Sequence, residues 1–444
     1  MEELFARTPV PQAYRQLALP VVIGMVASMV YNLADTFFVA QTGNADLVAG
    51  VALGAPLFSF MLAVGDIFGL GGSALISRLM GAGAHEKIRQ LSSFCFYAAI
   101  ALSLVITIAL LAGENQVLIW LGATAATRQY AAGFYRMLAL GAVFIITSLV
   151  PGNIIRTEGL AKHSMVATAC GTALAIILDP IFLFWCHWGA AGVGLANVLG
   201  YALNTALLVW FTAHDAQYLS VAPKSARITA SAWWAIISIG IPASLTNFMQ
   251  SFGTMLLNQR LAHYGAEAVA AMGISQKIYM VVMLVMVGFA FGAQPLIGYN
   301  FGSGDRRRLQ AILRYDFLVE VGYAVVCAGL LMVFAPHLIA WFMPLPHIVS
   351  AGSLMLRALL ITTPAIGAIL VFTTVFQSTS QPLAALVMAL ARQGVLFALT
   401  ITLFAHWWGY HGVLWAQAGA DILTFVCGWG LYAHGWRKLA RRSS

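Results

Sequence analysis

The sequence predicts an all-α polytopic membrane protein, with twelve transmembrane helices in two pseudo-symmetric six-helix bundles. Three observations lead to this prediction: a strongly apolar composition, twelve long apolar runs and an internal repeat. Of the 444 residues, 61% are hydrophobic and only 9% are charged, whereas soluble domains carry roughly 25% charged residues. The lipid bilayer is therefore the expected environment of most of the chain.

Twelve apolar runs are long enough to cross a bilayer, for which a helix needs about 20 predominantly apolar residues. The runs are separated by glycines, prolines and clusters of charge. They are continuously apolar rather than alternating, which favours helices over a β-barrel. The predicted spans are 16–40, 47–79, 92–112, 130–154, 164–186, 191–213, 233–261, 268–300, 311–334, 351–376, 383–405 and 412–435.

The basic residues lie in alternate loops between these runs. Clusters such as Arg306–Arg308 fall on one side, whereas the other side holds little more than Arg128 and Arg260. This asymmetry follows the positive-inside rule and predicts that both termini are cytoplasmic. It accounts for the net charge of +8, so no nucleic-acid partner is predicted. Short loops and the lack of long regulatory tails indicate the inner (plasma) membrane of a bacterium.

The two halves of the chain resemble each other. Residues 75–88, LISRLMGAGAHEKI, align with residues 296–309, LIGYNFGSGDRRRL, and WGAAGVGLAN at 188–197 aligns with WGYHGVLWAQ at 408–417. A series of matches at a nearly constant offset indicates a duplication. Six spans per half make the repeats parallel, about an axis along the membrane normal.

This duplication predicts three regions, namely an N-terminal six-helix bundle over 1–213, a cytoplasmic linker over 214–232 and a C-terminal six-helix bundle over 233–444. Two parallel bundles with a cleft between them suit alternating access, in which one bundle rocks against the other.

Two acidic residues lie in predicted spans of the first half only. Asp35 is in the first span and Asp179 in the fifth, while their repeat equivalents are Leu257 and Leu399. An ionised carboxylate in a bilayer costs several kcal/mol. A structural requirement shared by both bundles would place acids in both, so it does not explain acids that occur in one bundle only. We therefore predict that Asp35 and Asp179 bind a proton or a cation. A capping role for Asp179 at the Pro180 kink is the alternative.

Other polar residues in the spans are candidates for supporting roles. Tyr31 precedes Asp35 by one helical turn, and Asn153 and Asn197 supply neutral polar groups. Single asparagines in spans are also common in helix–helix contacts. The roles of four further residues stay open, between pairing with one another and facing a water-filled cleft: Asp66, Glu320, Arg392 and Asp421.

Several methionines and one lysine are candidates for lining a substrate cavity. Met249, Met255 and Met280 recur partly at helical spacing, and Lys277 lies in the eighth span. A polarizable methionine wall accommodates varied apolar ligands, although ordinary packing explains the same pattern. Alternatively, Lys277 does not line a cavity but extends its amine toward the outer surface.

Several motifs are absent from the sequence. It contains no GxxxxGK[ST] phosphate loop and no HExxH, GxSxG or paired-cysteine motif, so neither a nucleotide-driven pump nor an enzyme is predicted. No organic cofactor is expected, and no metal beyond a coupling Na⁺ at Asp35 and Asp179. The energy for transport would come from a gradient of H⁺ or Na⁺.

At four places the sequence resembles the multidrug and toxic compound extrusion (MATE) transporters, in particular the bacterial drug exporters. They are YNLADTFFVAQTGNADLVAGVALGAP, LISRLMGAG, ILDPIF and GVGLANVLGY. The resemblance implies a monomer that exports lipophilic, often cationic drugs or metabolites from the bilayer in antiport with H⁺ or Na⁺. It also implies a network of Asp35 and Asp179 with Tyr31, Asn153 and Asn197. A lipid-linked oligosaccharide flippase of the same superfamily is the alternative function.

Overall fold

The computed structural model describes residues 3–441, apart from the side chains of Ala266 and of residues 436–441. The ends of the two predicted domains, residues 1–2 and 442–444, lie outside this range. The described chain contains fifteen α-helices: α1 (Val10–Gln41), α2 (Ala45–Ala52), α3 (Ala55–Gly81), α4 (His85–Ala112), α5 (Glu114–Trp120), α6 (Arg128–Ile154), α7 (Ala161–Pro180), α8 (Gly189–His214), α9 (Ala230–Ala262), α10 (Ala266–Gly302), α11 (Arg306–Phe342), α12 (Pro346–Leu360), α13 (Thr363–Ser378), α14 (Pro382–Leu390) and α15 (Leu396–Arg441).

The helices confirm the prediction of twelve spans. Eleven helical segments in the described residues are long and apolar enough to cross a membrane, and the last of them covers Pro382–Gly435, or 54 residues. A straight helix of that length would measure about 80 Å, far more than a bilayer. Its backbone turns at Gly409, where φ is 55° and ψ is −127°, so the segment forms two spans.

Several helices extend beyond the apolar runs that predicted them. The ninth span was expected over 311–334, but α11 covers Arg306–Phe342. The third was expected over 92–112, but α4 begins at His85. Hydropathy marks the part of a helix inside the hydrocarbon layer, whereas the hydrogen-bonded helix continues into the polar interface.

The aligned turns of the two halves adopt the same unusual backbone. Gly83 has φ of 72° and Gly304 has φ of 76°, while Gly189 and Gly409 have φ of 56° and 55°. Glycine is the residue that adopts this left-handed conformation without a steric penalty. The repeated glycines therefore place the same turns after the second and eighth spans, and before the sixth and twelfth.

The two bundles meet where α3 crosses α10. A Cβ atom on Gly81 would lie 1.9 Å from the carbonyl oxygen of Tyr299, and one on Gly302 would lie 2.0 Å from that of Arg78. These two glycines occupy equivalent places in the repeat. The crossing lies at the end of the molecule that holds the loops 82–84 and 303–305, which we call the basic end.

Contacts between the bundles continue for several turns from the basic end. Gly240 of α9 packs on the backbone of Ile67 in α3, and Gly292 of α10 packs on Ala18 in α1. Farther along, the bundles part. Leu33 of α1, which continues the helix face that packs on α10, is exposed there, so a cleft opens toward the end opposite the basic one.

A short helical turn, Glu3–Arg7, closes the basic end further. Phe5 is fully buried and its ring stacks on Tyr299 with centroids 5.1 Å apart. Its carbonyl oxygen accepts hydrogen bonds from Asn300 and, at 2.7 Å, from the Nε of Arg308. The start of the chain is thereby fastened to the C-terminal bundle.

The linker between α8 and α9 lies against the N-terminal bundle. The carboxylate of Glu158 accepts hydrogen bonds from three successive backbone amides, those of Gln217, Tyr218 and Leu219. Ser92 of α4 donates to the carbonyl oxygen of Ser220. The polar connection between the bundles is therefore held in place rather than loose.

Candidate functional site

Three helices of the N-terminal bundle direct polar stripes toward a common space. On α1 the stripe consists of Ser28, Tyr31, Asn32 and Asp35, and on α8 it consists of Asn197, Tyr201 and Asn204. On α7 it runs through Thr168, Thr172 and Ala175 to Asp179. Spacings of three, four and seven residues place side chains on one face of a helix. The stripes enclose a cavity of about 40 Å³.

Paired glycines bring α7 and α8 together beside this cavity. A Cβ atom on Gly171 would lie 2.6 Å from the carbonyl oxygen of Gly200, and one on Gly200 would lie 2.7 Å from that of Gly171. Any larger side chain would push the helices apart. One water molecule needs roughly 10–15 Å³ of such space, so the cavity has room for a few waters or a small cation.

The two predicted acids meet at the end of the cavity away from the basic end. Asp35 lies one turn beyond Tyr31 on α1, and Asp179 lies one turn beyond Ala175 on α7. The two carboxylates are close enough to interact electrostatically, and the Tyr31 hydroxyl interacts with both. Asp179 is 0% exposed.

These groups lack hydrogen-bond partners among the described residues. Both carboxylate oxygens of Asp179 are unpartnered, and so are Oδ1 of Asp35, the Tyr31 hydroxyl and the side-chain oxygens of Asn197 and Asn204. Asp179 therefore does not cap the kink at Pro180, which continues into the π-helical turn Ile181–Trp185. Buried polar atoms without partners are rare, and a set of such oxygens along one cavity and at its end is suited to a bound proton or cation.

Asn153 lies elsewhere, on the side of α6 that faces α3. Its amide donates to the carbonyl oxygen of Leu149 at 2.8 Å, and its side-chain oxygen accepts from Arg156. Arg156 interacts electrostatically with Asp66, which accepts a hydrogen bond from Asn247 of α9 at 3.0 Å. Asn153 thus belongs to a second polar group, at the contact between the bundles.

The methionines and Lys277 divide between packing and the cleft. Met249 of α9 packs against the turn formed by residues 391–395, with its sulfur near Gly394. Met255, on the face of α9 that carries Phe248 seven residues earlier, is half exposed. Phe248 itself contacts Phe60 of α3, with ring centroids 6.0 Å apart. Met255 therefore lies on the wall of the cleft.

Lys277 is an exposed residue of α10. It precedes Gly288 by eleven residues, or three turns, so both lie on one face. Gly288 packs against Val22 of α1, and the same face borders the cleft where the bundles have parted. Met280 is also exposed, but its position on α10 lies about a quarter turn away from that face.

In the C-terminal bundle, Arg392 and Asp421 form an ion pair of 3.0 Å between Nε and Oδ1. Arg392 also donates to the Tyr279 hydroxyl at 2.9 Å. Thr362 and Gln417 donate to the two oxygens of Asp421 at 2.8 and 3.0 Å. This group, which we call the Arg392 network, has partners for both carboxylate oxygens.

Asp316, which is fully buried with Glu320 on α11, is not among the residues predicted from the sequence. The signal was present, because the two acids are four residues apart and therefore share a face of the helix. Tyr201 and Asn204 were also not predicted, although they continue the stripe of Asn197 at the same helical spacing.

Comparisons with known proteins agree with this architecture. The MatE family model matches residues 20–181 and 242–402, one match in each half. The multidrug export protein MepA of Staphylococcus aureus (strain MRSA252) is 29% identical, over 94% of this chain and 92% of its own length. MepA of Staphylococcus haemolyticus is equally similar, at 29% identity over the same shares of the two chains.

Among solved structures, a MATE protein in complex with MaL6 superposes with a TM-score of 0.92 at 23% identity, covering 100% of this chain and 99% of its own. An outward-facing multidrug resistance MATE transporter of the MOP superfamily gives a TM-score of 0.90 at 24% identity, covering 97% of each chain. The shared fold extends over both bundles.

Proposed function

The chain belongs to the MatE family of membrane transporters, and we propose that it exports lipophilic, often cationic small molecules in exchange for H⁺ or Na⁺. The relatives with the name of multidrug export protein support this class of substrate. They do not favour the alternative, a flippase for lipid-linked oligosaccharides. The proposed setting is the inner membrane of a bacterium, with a monomer whose two termini are cytoplasmic.

The observation that carries the proposal is the unpartnered carboxylate of Asp179 beside Asp35. An ionised carboxylate that is fully buried without a donor costs several kcal/mol. A bound proton or a bound cation removes that cost, and the side-chain oxygens of Tyr31 and Asn197 are nearby to complete a shell. Oxygen ligands of this kind suit hard cations.

Ion binding here would be linked to the movement of the bundles. Asp35 and Tyr31 lie on α1, and α1 packs against α10 of the other bundle nearer the basic end. A proton or Na⁺ that binds more tightly in one arrangement of α1 shifts the equilibrium toward that arrangement. Uptake of the ion from outside would then expel a drug from the cleft, whose wall includes Met255 and Phe248.

The test is transport by the purified protein in proteoliposomes, with a fluorescent lipophilic cation as the substrate. An imposed H⁺ or Na⁺ gradient should drive its movement in the unmodified protein, and separate gradients identify the ion. Asp35→Asn and Asp179→Asn should each reduce gradient-driven movement at least tenfold, because a neutral amide does not take up and release a proton and lacks the negative charge that holds Na⁺.

Glu267→Gln provides a matched control. It makes the same acid-to-amide change at a side chain that is 75% exposed, and transport should be unchanged. Full gradient-driven transport in both aspartate variants, each monodisperse by size-exclusion chromatography, would refute the proposal.

A further inference from the structure

A second pair of unpaired acids lies in the other bundle, close to the contact between bundles. Asp316 and Glu320 of α11 are both 0% exposed. Oδ2 of Asp316 and both oxygens of Glu320 have no hydrogen-bond partner. Among the described residues, no lysine or arginine forms an ion pair with either acid.

The one strong donor to this pair comes from the opposite bundle. The hydroxyl of Tyr14, on α1, donates to Oδ1 of Asp316 at 2.7 Å. Tyr14 is itself almost fully buried, and its ring packs edge-on against Tyr315 and lies close to Phe289 of α10. This contact exists only while α1 and α11 are together, that is, while the basic end is closed.

The surroundings of the pair offer no compensating positive charge. On α11 itself, Tyr323 interacts with Glu320, Arg314 is exposed, and Arg308 is committed to carbonyl oxygens of the Glu3–Arg7 turn.

Other elements contribute uncharged groups. On α10, the backbone amide of Ala290 is the polar neighbour of Glu320, but it does not reach hydrogen-bond geometry. Gly367 of α13 packs directly on the backbone of Glu320. On α15, Tyr432 lies against Phe317 with ring centroids 6.1 Å apart. The pair is therefore an acidic site walled by tyrosines and apolar groups.

Closure of the two bundles does not in itself require acids at this place. The repeat equivalents of Asp316 and Glu320 are Cys95 and Ala99, and that of Tyr14 is Ile236. These three residues are fully buried in the same core, so the equivalent contact is sealed by apolar groups. The acids are thus present in one half only, as Asp35 and Asp179 are in the other.

We propose that Asp316 and Glu320 form a proton-binding site that senses pH at the basic end and favours its closure. Two adjacent carboxylates cannot both stay ionised when sealed from water without a cation. A proton fits this packed site, since it needs no additional space. When the bundles part at the basic end, Tyr14 leaves and water reaches the pair, which then releases its proton to the same side.

This site regulates the transporter rather than driving it. The proton enters and leaves on one side of the membrane, so it is not carried across, and the proposal does not depend on Asp35 or Asp179. The sign follows from linkage, because the closed form binds more protons and is therefore favoured as the pH falls. One proton changes the closure equilibrium by up to about tenfold per pH unit.

Closure can be followed in the full chain by cross-linking Ala82→Cys to Ser303→Cys, two exposed positions at the basic end, after the native cysteines are replaced by alanine. With a short bifunctional thiol reagent and no drug or ion gradient, cross-linking should rise as the pH is lowered. In Asp316→Asn/Glu320→Gln, cross-linking should be high and independent of pH. A pH dependence equal to that of the parent protein would overturn the proposal.

Infrared spectroscopy gives a second readout that does not rely on the movement. In an Asp35→Asn/Asp179→Asn background, which removes the other buried acid pair, the closed protein should show the carbonyl stretch of a buried protonated carboxylic acid, and adding Asp316→Asn/Glu320→Gln should abolish that band. The Glu267→Gln control should retain it. An unchanged band after adding Asp316→Asn/Glu320→Gln would contradict the proposal even if cross-linking failed.

Discussion

The two bundles carry polar groups at equivalent places and use them differently. Asn197 and Tyr201 line the cavity of the N-terminal bundle. Their counterparts 220 residues later are Gln417 and Asp421, which belong to the Arg392 network. The N-terminal bundle has a cavity beside unpartnered acids at this place, whereas the C-terminal bundle has the ion pair of Arg392 and Asp421 there.

Two further positions follow the same pattern. Thr172 and Phe58 line the cavity, and the repeat places Arg392 and Tyr279 at the equivalent positions. Arg392 donates to Tyr279 and Asp421. A buried ion pair with all its hydrogen bonds satisfied holds helices in one arrangement, whereas carboxylates without partners are available to bind and release an ion, as we propose for Asp35 and Asp179. The comparison teaches that at this place in the repeat the C-terminal bundle is braced by an ion pair, whereas the N-terminal bundle keeps a cavity with carboxylates that can respond to an ion.

The sharpest test of this comparison applies the same change to both bundles. Asp421→Asn leaves the Arg392 guanidinium buried without its counter-ion, which should cost about 3–5 kcal/mol. Asp179→Asn removes a carboxylate that has no partner and should change stability by less than about 1 kcal/mol. The measurement is the unfolding free energy, or the thermal midpoint, of both variants in the same detergent. Equal losses in the two variants would remove the distinction between the bundles.

A change of intermediate size tests whether the cavity depends on close helix packing. Gly171→Leu places a side chain against the Gly200 carbonyl and should separate α7 from α8, costing roughly 1–3 kcal/mol and most of the transport. Gly329→Ala is the matched control, since a Cβ atom there meets nothing within 4 Å. The control should be neutral or slightly stabilising. Normal transport by Gly171→Leu would show that the cavity shape is unimportant.

The smallest expected effect concerns Tyr31. Its hydroxyl has no hydrogen-bond partner, so Tyr31→Phe should change stability by less than about 1 kcal/mol. It interacts with both carboxylates, so its loss should alter the pH or Na⁺ dependence of transport while leaving the maximal rate within a few-fold. The check is a series of proteoliposome assays across pH and Na⁺ concentration. A stability loss comparable to that of Asp421→Asn would assign Tyr31 a structural role instead.

Much of the site could be predicted because a comparison of equivalent positions in the two halves shows which polar residues occur in only one of them. Asp35 and Asp179 stood out against Leu257 and Leu399, and the structure places the two acids together. Asn153 could not be placed in the same way. Its direction depends on the rotation of α6, whose face toward α3 is set by the close approach at Gly69. Hydropathy along this mostly apolar span does not report that rotation.

The sequence by itself determined the membrane setting and the twelve spans, because burial costs per residue and local turn chemistry govern these. Matches between stretches of sequence revealed the duplication and the family. Only the tertiary structure decided which acids have partners. Asp421 and Asp179 are both aspartates in apolar spans, but one meets Arg392 from another helix and the other meets no donor. Such contacts join residues far apart in the chain through helix rotation and packing, which no local pattern encodes.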